Sequence, residues 1–193
     1  AVIGSIILCA SLVVGVLSLT GLGVKITSGI LSLSNDMLWP ALLLTALACL
    51  ILGMEVPTTA AYVICVSVAG PALTSLGLEP LLAHLFVFWY ALLSTITPPV
   101  CGGVFIAAGM VGENWLKVAF KAMALGIGLY IIPLAMVANP EMIQLAFNPF
   151  GALLDALKVA IGLSAISYGV IARKALWQRG GLILGGTILI FVV

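Results

Sequence analysis

The sequence has very little charge. Only 7% of its residues are charged, and its 7 basic and 6 acidic residues nearly cancel. Ordinary soluble domains are about 25% charged and about 45–50% apolar, whereas this chain is 64% hydrophobic with a mean hydropathy of +1.37. The composition therefore indicates an integral membrane protein, and the small net charge leaves no basic face for nucleic acid.

Groups that perform enzyme chemistry are also scarce. The sequence has one histidine, no HExxH or GxSxG motif and no paired carboxylates, so the residues needed for hydrolysis are missing. Its cysteines stand singly in apolar segments without metal-ligand spacing, which is typical of small core residues. They are Cys9, Cys49, Cys65 and Cys101. We predict no enzyme activity and no cofactor other than a coupling ion.

The chain begins inside an apolar run. Ala1 is neither an initiator methionine nor part of a charged leader region, so we expect a piece of a longer protein. Residues 2–20 approach the length of about 20 that a helix needs to cross a membrane, and they predict a first spanning helix. The more polar stretch 24–35 predicts a short helix lying at the membrane interface.

The first of two interruptions in the apolar pattern reads GMEVPTT, residues 53–59. Helices are predicted on either side of it, over 37–53 and 57–75, with Asn35 or Asp36 as the cap of the first. Each helix is near the lower length limit for a span, so length alone leaves two options: both helices cross the membrane, or they form a re-entrant hairpin with GMEVPTT at its tip. The low polarity of this turn favours the hairpin.

The second interruption reads STITPPV, residues 94–100, between predicted helices over 80–97 and 100–112. Proline lacks an N–H and biases the preceding residue away from helix, so both interruptions release backbone groups from the helical hydrogen bonds. In lipid such groups must be buried in protein or line a polar cavity. Paired helix breaks therefore point to a transporter binding site.

If the two interruptions meet, they offer ligands to two kinds of ion. Carbonyl and hydroxyl oxygens suit a hard cation such as sodium, and helix N-termini favour an anion. This combination favours symport of a carboxylate with sodium. The predicted sodium and substrate region contains Gly53, Glu55, Pro57, Thr58, Thr59, Ser94, Thr95, Thr97, Pro98 and Val100.

Simpler interpretations stay open for several of these features. TPPV, residues 97–100, would also serve as a structural kink, and Glu55 as a solvated turn residue. A lone histidine such as His84 is more typical of a hydrogen-bonded packing residue than of a proton relay. The neighbouring aromatic run, residues 86–90, is more typical of packing or of an interfacial belt.

Further crossings are predicted after residue 112. Spans are expected over 116–137 and 151–171, and another begins at 181. These crossings leave only Lys25 on one side of the membrane and five basic residues on the other, which is therefore predicted to be cytoplasmic. The five are Lys117, Lys121, Arg173, Lys174 and Arg179.

Three stretches resemble the large membrane subunit of the tripartite ATP-independent periplasmic (TRAP) transporters. They are GMEVPTTAAYV at 53–63, GPALTSLGLEPLLAHLFVFWYALLSTITPPV at 70–100 and FIAAGMVGENW at 105–115. The ordered set of PTTAAY, the Gly-x-Glu-Pro turn, AHLFVF and TPPV is specific. The tail, with NPEMI at 139–143 and FNPFGALLDAL at 147–157, resembles the fused form, in which the small and large membrane subunits share one chain.

The resemblance implies an all-α membrane protein that is the second inverted repeat of an elevator-type transporter, with a re-entrant hairpin and a broken transmembrane helix. Residues 1–35 would be a scaffold helix and an interfacial arm. Residues 36–112 would be half of the transport domain, with the hairpin over 36–76 and the broken helix over 80–112. Residues 113–193 would supply further scaffold and membrane helices.

The implied function is the membrane permease part of a sodium-coupled importer of organic acids in a bacterial or archaeal cytoplasmic membrane. The implied partners are a periplasmic substrate-binding protein and the small-subunit helices of the same full-length chain. Glu55 stands where related sequences commonly carry glycine, a departure from a tip lined only by carbonyls. A membrane scaffold without transport activity and an ion channel are the alternatives.

Overall fold

Helices make up all the regular structure in the described residues, which are 2–54, 56–171 and 176–192 of a computed structural model. The helices are α1 (Val2–Thr20), α2 (Leu22–Ser34), α3 (Leu38–Leu52), α4 (Thr58–Ser75), α5 (Pro80–Leu93), α6 (Gly102–Val111), α7 (Trp115–Leu125), α8 (Ile127–Ala138), α9 (Pro149–Ile171) and α10 (Leu176–Phe191). A 3-10 turn, Pro140–Ile143, precedes α9. The predicted all-α class is confirmed.

The chain divides into two compact units, Ala1–Trp115 and Leu116–Val193. In the part of the chain that the structure describes, two helices, α4 and α9, are long and apolar enough to cross a membrane by themselves. The number rises to four among the described residues if each of two bent pairs is one span: Ser11–Leu17 with Leu22–Ser34, and Trp115–Leu125 with Ile127–Ala138. Large apolar side chains on α9, such as Leu157, are exposed, as expected of a surface that faces lipid.

The junction between α2 and α3 differs from the prediction. Asn35 ends α2 in the left-handed conformation, with φ 49°, and its N–H donates to the carbonyls of Leu31 and Ser32. The residue that precedes α3 is Met37, and no side chain caps that helix. Asparagine tolerates the left-handed region better than other non-glycine residues, so it suits the end of a helix here rather than a beginning.

The predicted helices on either side of GMEVPTT are present as α3 and α4, which pack against each other. The Cys65 thiol of α4 donates to the Cys49 carbonyl of α3 at 3.7 Å. These residues lie equally far from Pro57 in the sequence, so the two helices run side by side as a helical hairpin. Ala61 and Ala69, one turn on either side of Cys65, are also fully buried, and such small residues allow neighbouring helices to approach closely.

The turn between α4 and α5 forms as predicted. Gly77 has φ +87°, its N–H donates to the Thr74 carbonyl at 3.1 Å, and the Leu78 N–H donates to the Leu73 carbonyl at 3.1 Å. This pair of hydrogen bonds is the Schellman ending of a helix, which needs the left-handed conformation that glycine adopts without strain. Pro80 then starts α5, where its missing N–H costs nothing.

Helix α5 ends at Leu93, four residues before its predicted end at 97. Pro98 supplies no N–H to the Ser94 carbonyl, and it disfavours helical backbone at Thr97. The segment 94–101 is irregular, and α6 begins at Gly102 instead of residue 100. The break is therefore longer than TPPV alone.

The second unit contains most of α7 with α8, α9 and α10. The span predicted over 116–137 is divided at Gly126 into two helices that are bent by 41°. Gly126 takes φ −88° and ψ 13°, outside the helical well, and Pro133 within α8 further weakens the hydrogen bonding around the bend. Helices α9 and α10 begin earlier than predicted, at Pro149 and Leu176.

Candidate functional site

The two interruptions meet inside the first unit. The Ser94 hydroxyl oxygen lies 2.9 Å from the carbonyl of Gly53 and 2.7 Å from the Ala91 carbonyl of its own helix, and its single hydrogen is shared between these two acceptors. Ser94 is fully buried. The tip of the hairpin therefore rests directly on the break that follows α5.

The approach at this contact leaves no room for a side chain at Gly53. A Cβ atom there would lie 2.6 Å from Ser94 Oγ and 3.0 Å from the carbonyl oxygen of Cys49. The backbone of Gly53 is itself ordinary, with φ −83° and ψ −6°. Glycine is needed here for close approach and not for a left-handed conformation.

The described remaining residues of the predicted tip lie where the second arm of the hairpin begins. Pro57 precedes α4, and its carbonyl accepts the Ala61 N–H at 2.9 Å as the helix begins. Thr58 and Thr59 are exposed in the first turn of α4. Glu55 lies outside the described residues.

The hydroxyls of the break are held by their own helix. Thr95 Oγ1 donates to the Leu92 carbonyl at 2.9 Å, and Thr97 Oγ1 donates to the Leu93 carbonyl at 2.7 Å. Pro98 and Val100 are half-buried. Each hydroxyl oxygen keeps lone pairs that can still accept a hydrogen or bind a cation.

The carbonyl of Thr95 is released by Pro99, which has no N–H to donate to it. This oxygen faces the start of α6, since it would lie 3.4 Å from a Cβ atom at Gly103. Helix α6 begins here with its N–H groups, the end of a helix that carries partial positive charge. The break thus presents a carbonyl oxygen and a helix N-terminus within a few residues.

The described residues of the first unit include the linings of two cavities of similar volume. One, of about 320 Å³, is lined by α1 and by the hairpin, including Val56, Pro57 and Ala60. The other, of about 280 Å³, lies between α1, α2 and α4 and includes Thr27 and Ser67. Neither is lined by the polar residues of the break, and the described residues contain no group of three or more His, Cys, Asp or Glu side chains that could hold a metal ion.

His84 and the aromatic run make packing contacts. The Tyr62 hydroxyl lies 2.7 Å from His84 Nδ1, which joins α4 to α5. Phe86 and Tyr90 are buried with ring centroids 4.9 Å apart, and Phe88 meets Tyr62 edge to face at 5.6 Å. These contacts agree with the interpretation of His84 and of the aromatic run, residues 86–90, as packing residues.

The sequence did not predict that Cys49 takes part in the contacts at the tip. The Cys49 carbonyl accepts the Gly53 N–H at 2.9 Å and the Cys65 thiol at 3.7 Å, so it anchors the end of α3. The spacing of four residues between Cys49 and Gly53, one helical turn, was the available signal.

Comparison with protein families identifies the chain. No curated protein and no solved structure matches it. Residues 1–150 match the family model described as "Tripartite ATP-independent periplasmic transporter, DctM component". This match includes the hairpin, the break and all of the predicted site residues. The chain therefore belongs to the DctM family, the large membrane component of the TRAP transporters.

Proposed function

We propose that the chain is the permease part of a sodium-coupled secondary importer of organic acids, which a periplasmic substrate-binding protein supplies. The observation that carries this proposal is the buried hydrogen bond from Ser94 to the Gly53 carbonyl, at 2.9 Å. It joins two helix breaks in one place, which is how discontinuous helices form transporter sites.

The oxygens near this contact suit sodium. Hard cations take several oxygen ligands from carbonyl and hydroxyl groups. The Thr95 carbonyl has lost its helical donor, and the hydroxyls of Thr58 and Thr59 are exposed beside the tip. Glu55 is a further candidate ligand because it carries the one carboxylate within either break.

The helix N-termini suit the carboxylate of the substrate. Helix α4 begins at the tip and α6 begins at the break, and the N–H groups of both ends attract negative charge. A bound cation and a bound carboxylate would stabilise each other across such a site. This arrangement supports coupled transport, by an elevator movement of the second inverted repeat, in a bacterial or archaeal inner membrane.

Uptake by the full-length protein tests this proposal. Proteoliposomes containing it, with its fused small-subunit helices, should accumulate labelled organic acid only with an inward sodium gradient and the cognate binding protein. Uptake should saturate with substrate. Flux without sodium would contradict the coupling, unsaturable conductance would indicate a channel, and no flux with any organic acid would favour the scaffold.

The Ser94→Ala variant tests the role of the contact. Loss of the hydroxyl removes the hydrogen bond between the two interruptions and leaves the Gly53 carbonyl with the longer one from the Val56 N–H, at 3.4 Å, at a cost of about 0.5–1.5 kcal/mol. We expect uptake to fall by up to about tenfold. Ser28→Ala is the matched control, because the Ser28 hydroxyl donates only to Lys25 of its own helix, and its uptake should stay close to that of the original protein.

A further inference from the structure

The cavities of about 320 and 280 Å³ lie along one seam, where α1 and α4 pack side by side. The larger cavity joins Cys9 and Val13 of α1 to Ala60 of α4, near the hairpin tip. The smaller cavity joins Leu17 of α1 to Val68 of α4. The cavities therefore follow the same order along both helices, and Ala60 and Val68 are about 12 Å apart along the axis of α4.

The cavity near the tip suits hydrocarbon. Valine, proline, alanine and isoleucine side chains line it, together with one hydroxyl and one thiol, those of Ser5 and Cys9. An apolar cavity of about 150 Å³ already stays dry and takes up benzene, so this larger one can hold a longer segment of hydrocarbon. Val13 and Val16 of α1 are exposed, which leaves the seam open to lipid chains.

The other cavity offers hydrogen-bond acceptors. The Thr27 hydroxyl donates to the Val68 carbonyl at 2.7 Å, and the Ser67 hydroxyl donates to a carbonyl of its own helix at 2.8 Å. Each hydroxyl has used its one hydrogen, so towards a ligand it can only accept. Pro71 supplies no N–H to the Ser67 carbonyl. This carbonyl oxygen lies 3.9 Å from the position that a Cβ atom at Gly23 would take, and both residues line the cavity.

We propose that this seam binds one phospholipid with a primary amine headgroup, of the phosphatidylethanolamine type. Its ammonium group donates to the acceptors at Thr27 and Ser67, and one acyl chain runs along the seam into the apolar cavity at the hairpin tip. A primary ammonium carries three N–H donors and no acceptor, which complements polar groups that only accept. The headgroup lies at the end of the seam bordered by α2, the helix predicted at the membrane interface.

Lipid retention tests the proposal. The purified full-length protein is delipidated in detergent and incubated with phosphatidylethanolamine or with phosphatidylcholine of the same acyl chains. It is then washed and analysed by native mass spectrometry. We expect one phosphatidylethanolamine per chain to remain, and no phosphatidylcholine, because a quaternary ammonium has no N–H to donate. Equal retention of both lipids, or retention of neither, would overturn the proposal.

Variants at the apolar end test the seat of the acyl chain. Val13→Trp fills the larger cavity from its exposed side and should abolish retention. Leu12→Trp is the matched control, because Leu12 is exposed on the same helix and does not line the cavity, and it should keep the lipid. Cys9→Phe fills the cavity from a second position, and unfolding temperatures show whether each variant is folded. Retention by folded Val13→Trp and Cys9→Phe equal to that of Leu12→Trp would overturn the proposal.

Variants at the polar end test the headgroup. Ser67→Ala removes one acceptor, and we expect the affinity for phosphatidylethanolamine to fall about tenfold, the usual effect of losing a hydrogen bond to a charged group. Ser75→Ala is the matched control, since the Ser75 hydroxyl also donates to a carbonyl three residues earlier in α4 but lines neither cavity. Equal affinities of the two variants would overturn this placement of the amine. The readout is bound lipid and not transport, so the result is independent of the proposed function.

Discussion

At the scale of single residues, Gly53 shows how an unremarkable backbone conformation can still require glycine. Its φ of −83° suits any residue, but a Cβ atom would lie 2.6 Å from Ser94 Oγ. We therefore predict that Gly53→Ala destabilises the hairpin tip by about 1–3 kcal/mol, the usual cost of overpacking. Thermal unfolding of the purified protein measures the change, and uptake should fall with it.

Gly109→Ala is the matched control for this prediction. Gly109 lies within α6, and nothing stands within 4 Å of the position that its Cβ atom would take. Alanine there should raise helix stability by up to about 1 kcal/mol. Equal effects of the two substitutions would contradict the steric role of Gly53.

The sequence indicated Gly53 and Ser94 as members of one site, but for a different reason. Both stood out because they flank helix breaks with prolines, which is a local signal. Their direct contact depends on how α3 and α5 pack, across a separation of 41 residues. A local sequence pattern cannot predict a contact between residues so far apart in the chain.

At the scale of helices, α9 and α10 pack through glycine. A Cβ atom at Gly186 would lie 2.6 Å from the Gly162 carbonyl oxygen, whereas nothing stands within 4 Å of one at Gly185. We predict that Gly186→Ala destabilises the packing of these helices by about 2 kcal/mol. Gly185→Ala should have little effect. Hydrogen exchange along α10 distinguishes the two neighbours, and similar exchange in both variants would count against this packing.

A buried asparagine joins three elements of the second unit. Asn139 Nδ2 donates to the carbonyls of Ala135 and Ile190, at 2.9 and 3.1 Å, and Lys158 Nζ donates to Asn139 Oδ1 at 2.8 Å. Helix C-termini carry partial negative charge, and the ends of α8 and α10 meet here beside the lysine. The network therefore fastens the ends of both helices to α9.

We predict that Asn139→Ala destabilises this unit by about 2–3 kcal/mol, because Lys158 and the Ile190 carbonyl lose a buried partner. The double variant Asn139→Leu with Lys158→Met should cost less than Asn139→Ala, since apolar pairs often replace buried polar ones without loss. Unfolding temperatures measure both. A double variant less stable than Asn139→Ala would show that the charge itself is needed.

The ends of the helices show where sequence patterns predict the structure well and where they do not. The turn at Gly77 was predicted because glycine and proline are strong local signals, and the structure has a Schellman ending there. The end of α5 was placed four residues late because the effect of Pro98 extends to the residues before it, where the hydroxyls of Ser94, Thr95 and Thr97 also hydrogen-bond to carbonyls at the end of the helix. Such bonds compete with helical ones without changing the hydrophobic pattern.

At the scale of the whole molecule, the distribution of basic residues predicts how the chain crosses the membrane. Residue 79 should face outside and residue 178 the cytoplasm, with three crossings between them. In a Cys9→Ala background, Glu79→Cys should react with an impermeant maleimide in intact cells. Gln178→Cys should react only after permeabilisation. The reverse labelling pattern would show that the chain has the opposite orientation. Labelling of both cysteines in intact cells would show that the number of crossings between them is not three.

Composition and local pattern alone determined that this is a helical membrane protein with two proline-marked interruptions, because apolar length and proline geometry act within a few residues. Only the tertiary structure decided that the Gly53 carbonyl meets the Ser94 hydroxyl, that the Cys65 thiol meets the Cys49 carbonyl, and that Lys158 donates to Asn139. Each of these contacts joins residues from different helices. Their distances follow from the packing of small side chains between the helices, which one helix cannot specify alone.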